Sequence, residues 1–153
     1  VRNMQKVKKY IQNILLLIFS VIITMRCSQY HTNHQENWNR IEKTVKGISD
    51  ISKEENIKFI VALIPEIRQV DDLLWQDYSK KIRYNNINLR LPQDKFIEIL
   101  GSLDIDYIDL LPIFQKMNEN NSFYFKKNLH FNSRGNELTA TVIYNYFINE
   151  EII

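Results

Sequence analysis

A chain of 153 residues holds one domain with a modest core and has no room for two. Apolar residues make up 44% and charged residues 25%, a globular composition that excludes a disordered chain. The formal net charge of +2 leaves no basic stripe for nucleic acid, and Cys27, the one cysteine, excludes an internal disulfide framework or a cysteine-based zinc site.

The chain opens on Val1, with Met4 its first methionine, which is expected of a fragment or of a start that is not the native one. Residues 1–27 combine a cationic flank (Lys6, Lys8, Lys9) with an apolar run from Ile14 to Met25. They are expected to form an apolar N-terminal helix. One reading of it is a secretory signal or short anchor, although the run is shorter than the about 20 residues that span a bilayer. On that reading the 11–25 segment associates with a membrane, and the protein is extracytoplasmic or membrane-associated. The other reading is a buried helix whose ends are solvated by Lys8, Lys9 and Arg26. Lipid attachment at Cys27 is disfavoured, because it needs a small residue where Arg26 stands. Residues 28–37 are polar and aperiodic and read as a linker. His31 and His34 share a helical face there, but no carboxylate or cysteine cluster completes a metal site.

Residues 38–153 carry the pattern of an α/β domain. Trp38, Ile41, Val45, Ile48 and Ile51 recur at three- and four-residue steps and predict a helix, weakened slightly by Gly47. Ile57 to Ile64 is a β-branched, nearly continuous apolar run stopped by Pro65. Such a run predicts a strand buried on both faces, hence a parallel sheet covered by helices. Val70, Leu73, Leu74, Trp75, Tyr78 and Ile82 predict a helix over 70–83. Pro92 opens another, with Phe96, Ile97 and Leu100 on its apolar side and Gly101 as its terminator. Ile105 to Asp109 is a second strand, followed by a short helix through Phe114. The last helix begins at Asn132 or Ser133, either of which can cap it, and buries Leu138, Val142, Ile143, Tyr146 and Phe147. The adjacent pairs Asp71/Asp72 and Glu54/Glu55 diverge on a helix and read as solvated faces. This order is the sequence form of right-handed β-α-β crossovers. Two strands cannot cover their own edges and faces, so part of the sheet is expected elsewhere.

Sites in open α/β sheets form beyond the carboxyl ends of the strands. The loop from Asn118 to Asn132 follows the second strand and its short helix. His130 lies there between Leu129 and Phe131, just ahead of a helix cap. It is suited to act as general base toward a hydroxyl, provided that a second group fixes its tautomer. Asn128 stands two positions earlier, where that group is expected. Ser20, Ser28, Ser49 and Ser52 have no strand-to-helix turn around them, and none is nominated as a nucleophile.

The stretch Phe123-Tyr-Phe-Lys-Lys-Asn-Leu-His-Phe-Asn-Ser-Arg-Gly135 resembles the final block of SGNH/GDSL hydrolases. More narrowly it resembles the bacterial subset related to polysaccharide O-acetyltransferases. The pattern there runs aspartate, any residue, histidine, aromatic or leucine, asparagine, two residues, glycine. His130, Phe131, Asn132 and Gly135 match it in register. Val61-Ala-Leu-Ile-Pro65 and Tyr107-Ile-Asp-Leu-Leu-Pro112 are similar to the strands that precede that block, so the resemblance runs over residues 38–150. It implies a partial three-layer α/β/α, flavodoxin-like sandwich around a parallel sheet, with the N-terminal strands and the Gly-Asp-Ser nucleophile block missing. It implies an ester hydrolase or O-acyltransferase whose substrate is an acyl ester, such as an acetylated carbohydrate of the cell surface, and no metal or organic cofactor. His130 would be the general base, and Asn128, at the family's aspartate position, a weakened orienter. No Gly-Asp-Ser occurs in this chain, so the serine is expected upstream. A reading from a different class is a degenerate, non-catalytic relative that binds glycan or a partner through the old cleft.

Overall fold

The computed structural model describes residues 14–20, 34–82, 88–118, 123–125 and 130–152. Three parallel strands form one sheet in the order β1-β2-β3. They are β1 (Ile14–Ser20), β2 (Lys58–Ile64) and β3 (Asp106–Asp109). The helices are α1 (His34–Glu54), α2 (Ile67–Val70), α3 (Asp72–Ile82), α4 (Leu91–Ser102), α5 (Leu111–Met117) and α6 (Ser133–Asn149).

The alternation of a strand's side chains divides the core in two. Phe59, Val61 and Leu63 of β2 pack with Val45 of α1 and with Phe96 and Leu100 of α4. Ile60 and Ala62 pack on the other side with Ile67, Val70 and Phe114, and half-buried Leu138, Val142 and Phe147 of α6 lie against them. β2 is therefore buried on both faces, as its unbroken apolar run predicts. Because the strand order advances in one direction, right-handed crossovers put α1 and α4 on the same face. α2, α5 and α6 close the other.

The structure corrects several expectations. Residues 14–20 are a strand and not part of the helix expected for 1–27. They pair in parallel with β2, from Ile14 beside Lys58 to Ser20 beside Ile64. A short apolar run reads alike as buried strand or buried helix, and only the neighbouring strand decides between them. The described sheet thus has three strands where two were expected. The rest of 1–27, with Cys27, lies outside the described residues, as do 28–33 of the expected linker, His31 among them. Residues 34–37 of that linker already belong to α1. No helix among the described residues is long and apolar enough to cross a membrane.

Three smaller corrections concern α1, α3 and α4. Ile51 is exposed, and Ser49 and Ser52 are buried in its place. The Ser52 hydroxyl donates to the Ile48 carbonyl at 2.8 Å, which removes its need for water. Asp71 is buried and not solvated, because its carboxylate accepts from the Leu73 and Leu74 amides, both at 3.0 Å. It caps α3, and the helix expected over 70–83 therefore starts at Asp72. Gly101 lies inside α4, and the left-handed residue after the helix is Asp104, with φ of 55°.

Candidate active site at the carboxyl end of the sheet

The carboxyl ends of β2 and β3 are held by a polar rim. Glu66, just past β2, makes a capping box with Gln69: its carboxylate accepts from the Arg68 amide at 3.0 Å, and its own amide donates to Gln69 Oε1 at 2.8 Å. Arg68 Nε also donates to both Glu66 oxygens, at 2.9 and 3.0 Å. The Arg68 guanidinium lies 4.5 Å from the centroid of the Tyr78 ring, a cation–π contact between α2 and α3. At the end of β3, Asp109 Oδ1 accepts from the Leu111 amide at 3.1 Å and starts α5. Its Oδ2 accepts from Arg90 Nη2 at 2.8 Å, and this bond holds the Arg90 guanidinium above its usual pKa. Gln69 and Gln93 are buried and exchange hydrogen bonds at 2.6 and 2.9 Å. That pair ties the turn after β2 to α4 with the amide groups satisfied.

Against this rim stands the segment that carries His130. Tyr124 and Phe131 face each other in an antiparallel bridge. The bridge is flanked by Phe125 N donating to the His130 carbonyl at 2.8 Å and Asn132 N donating to the Phe123 carbonyl at 2.9 Å. Phe131 stacks on Phe114 of α5, ring centroids 4.8 Å apart and 12° between planes, and Tyr124 lies 4.9 Å from Phe131. The buried Tyr124 hydroxyl donates to the Pro65 carbonyl at 3.0 Å. Burial, with the Glu66 carboxylate second, holds that hydroxyl protonated far above the usual tyrosine range. One side chain thus fastens the histidine segment to the carboxyl end of β2, where sites of open α/β sheets form.

The same segment leads directly into α6. Asn132 Oδ1 accepts from the Arg134 and Gly135 amides at 2.9 and 3.1 Å, so it is the N-cap that the pattern predicts. Gly135 is required here: a Cβ would sit 2.4 Å from the Phe123 carbonyl oxygen. His130 and Gly135 thus share one structural unit, in which the backbone closes between residues 123 and 135. His130 is exposed.

Of the residues singled out from sequence, His130 and Asn132 lie in this unit, whereas Asn128 is outside the described residues. Ser20 ends β1, its backbone in register with Ile64, at the same end of the sheet as the histidine segment. Ser49 and Ser52 line a shallow cleft of about 190 Å³ with Lys58 and Asp106. That cleft is at the amino ends of β2 and β3, opposite the rim. No group of histidine, cysteine and carboxylate side chains among the described residues could hold a metal ion. Tyr124 and Phe125 were missed by sequence reasoning. Their signal was present in the run Phe123-Tyr124-Phe125, facing Phe131 across a short connection, which is the form of a small antiparallel pair.

Compared with known proteins, the chain matches no protein-family model and no curated protein.

Proposed function

We propose that this chain is the histidine-bearing part of an SGNH-like ester hydrolase or O-acyltransferase, with acetylated carbohydrate as its substrate class. The observation that carries the reading is the Tyr124–Pro65 hydrogen bond of 3.0 Å, which fixes the segment of His130 at the carboxyl end of a parallel strand. β1 supports the reading too. It lies at the edge of the described sheet and is apolar from Ile14 to Phe19, and parallel strands of that composition need cover on both sides. The sheet would continue beyond β1 into the part that carries the serine.

In the reaction, His130 takes the proton of the serine hydroxyl as its oxygen attacks the ester carbonyl. The tetrahedral intermediate collapses, the bond to the alcohol oxygen breaks, and the imidazolium returns the proton to that oxygen. Water or an acceptor hydroxyl then attacks the acyl-serine with His130 again the base, the acyl–serine bond breaks, and the imidazolium returns the proton to the serine oxygen. Asn128 would hold the imidazole without a charge to stabilise its protonated form.

The test begins with the coding sequence upstream of Val1. An open frame encoding a Gly-Asp-Ser turn is expected. The protein expressed from it should release p-nitrophenol from p-nitrophenyl acetate. His130→Ala should lower kcat by about 10³-fold or more, and Asn128→Asp should raise it toward the roughly 10⁴-fold that a triad carboxylate is worth. A stop codon directly upstream, or turnover unchanged by His130→Ala, would overturn the enzyme reading. The second reading, a non-catalytic binding protein, is favoured by the same two departures, Asn128 and the absence of Gly-Asp-Ser from the chain. It predicts glycan binding without turnover.

A further inference from the structure

The register of the Tyr124/Phe131 bridge determines the next pair along, which is Phe125 and His130. The 2.8 Å bond from Phe125 N to the His130 carbonyl, one of the two that flank the bridge, leaves these two residues opposite each other at its end. Side chains alternate along such a pair, so when Tyr124 and Phe131 turn inward, Phe125 and His130 turn outward together. The burial agrees: Tyr124 is 5% exposed and Phe125 is 52% exposed. Directly opposed residues bring their Cβ atoms to about 5 Å. A phenyl ring and the candidate base therefore stand side by side on the open face of the segment.

Chemistry then assigns the ring a direction. In acyl transfer the imidazole must reach both the serine hydroxyl and the alcohol oxygen, because it hands the proton from one to the other. The leaving alcohol is therefore brought within reach of a group beside the imidazole, nearer than the far end of the acyl chain. An aromatic ring offers a flat apolar face, and a pyranose ring presents a matching one through its axial C–H bonds. We propose that Phe125 is a specificity-determining residue that packs against the sugar ring on the alcohol side of the scissile ester. The proposal rests on reading His130 as the base of an acyl-transfer site.

Binding tests it without turnover, so its failure is distinguishable from failure of the His130 turnover test. The full 153-residue chain, isotopically labelled, is titrated with methyl tetra-O-acetyl-β-glucoside and, separately, with ethyl butyrate. The glucoside at millimolar concentration should shift the Phe125 and His130 resonances. Phe125→Ala should weaken its binding by about tenfold, the scale of one aromatic face, and Phe125→Trp should restore it. Ethyl butyrate, with a longer acyl chain and no ring, should bind more weakly and with no dependence on residue 125. Three results would overturn the proposal: no shift with the glucoside, equal glucoside affinity in Phe125→Ala, or a Phe125 dependence that follows the butyrate.

Discussion

The Tyr124 side chain has one polar atom, and it donates to the Pro65 carbonyl. Removing the hydroxyl leaves that carbonyl without its donor in a buried place. Tyr124→Phe should therefore cost about 1–2 kcal/mol in urea unfolding, although the ring stays. Its pH dependence has a definite sign. Burial raises the folded pKa above the ordinary value of 10.0, so the unfolded chain releases the proton first. The stability from this group is complete below that pH and is lost as pH rises beyond it. Wild-type stability should fall above about pH 10 more steeply than that of Tyr124→Phe. Equal slopes would show that the hydroxyl titrates as freely when folded as when unfolded. The importance of this residue could not be seen from its neighbours in sequence, since its acceptor is remote along the chain. The position of His130 just ahead of a helix cap was, by contrast, legible from local context.

The helical glycines show how one residue type serves an element in opposite ways. Gly47 of α1 has nothing within 4 Å of where a Cβ would stand. Gly47→Ala should stabilise the protein by about 0.5–1 kcal/mol, because alanine loses less backbone entropy in a helix. Gly135 opens α6 against the Phe123 carbonyl, 2.4 Å from a built Cβ. Gly135→Ala must push apart backbone that Asn132 N already bonds, and should cost about 1–3 kcal/mol. Thermal melting of the two variants should show shifts of opposite direction. Periodicity found α1, β2, α4 and α6, because each has a long apolar stripe or run of its own. It failed at β1 and at Asp71. β1 is a strand by virtue of β2 beside it. Asp71 is buried because two amides of α3 need an acceptor, which a charge pattern does not reveal.

At the scale of the molecule, the described sheet has helices on both faces and a polar rim at one end. The rim brings together residues from α2, α4, the end of β3 and the segment before α6. It contains a candidate base and no assigned nucleophile. The isolated chain should consequently release no p-nitrophenol from p-nitrophenyl acetate above background. Turnover that disappears in both Ser20→Ala and His130→Ala would instead identify Ser20, at the carboxyl end of β1, as the nucleophile. The mixed α/β character with a parallel sheet was readable from the order of apolar runs. The assembly of the site was not, since it depends on contacts between parts of the chain that only folding brings together.

The hydrogen bond from Tyr124 to Pro65 joins residues 59 positions apart. Contacts of such sequence separation require a long loop to be closed before they gain anything, and topologies rich in them fold more slowly. A partly folded chain would have its helices and still lack a seated histidine. Acquisition of the site is thus expected late in folding, and slow amide exchange at Phe125 and Asn132 should appear only once the described sheet has closed.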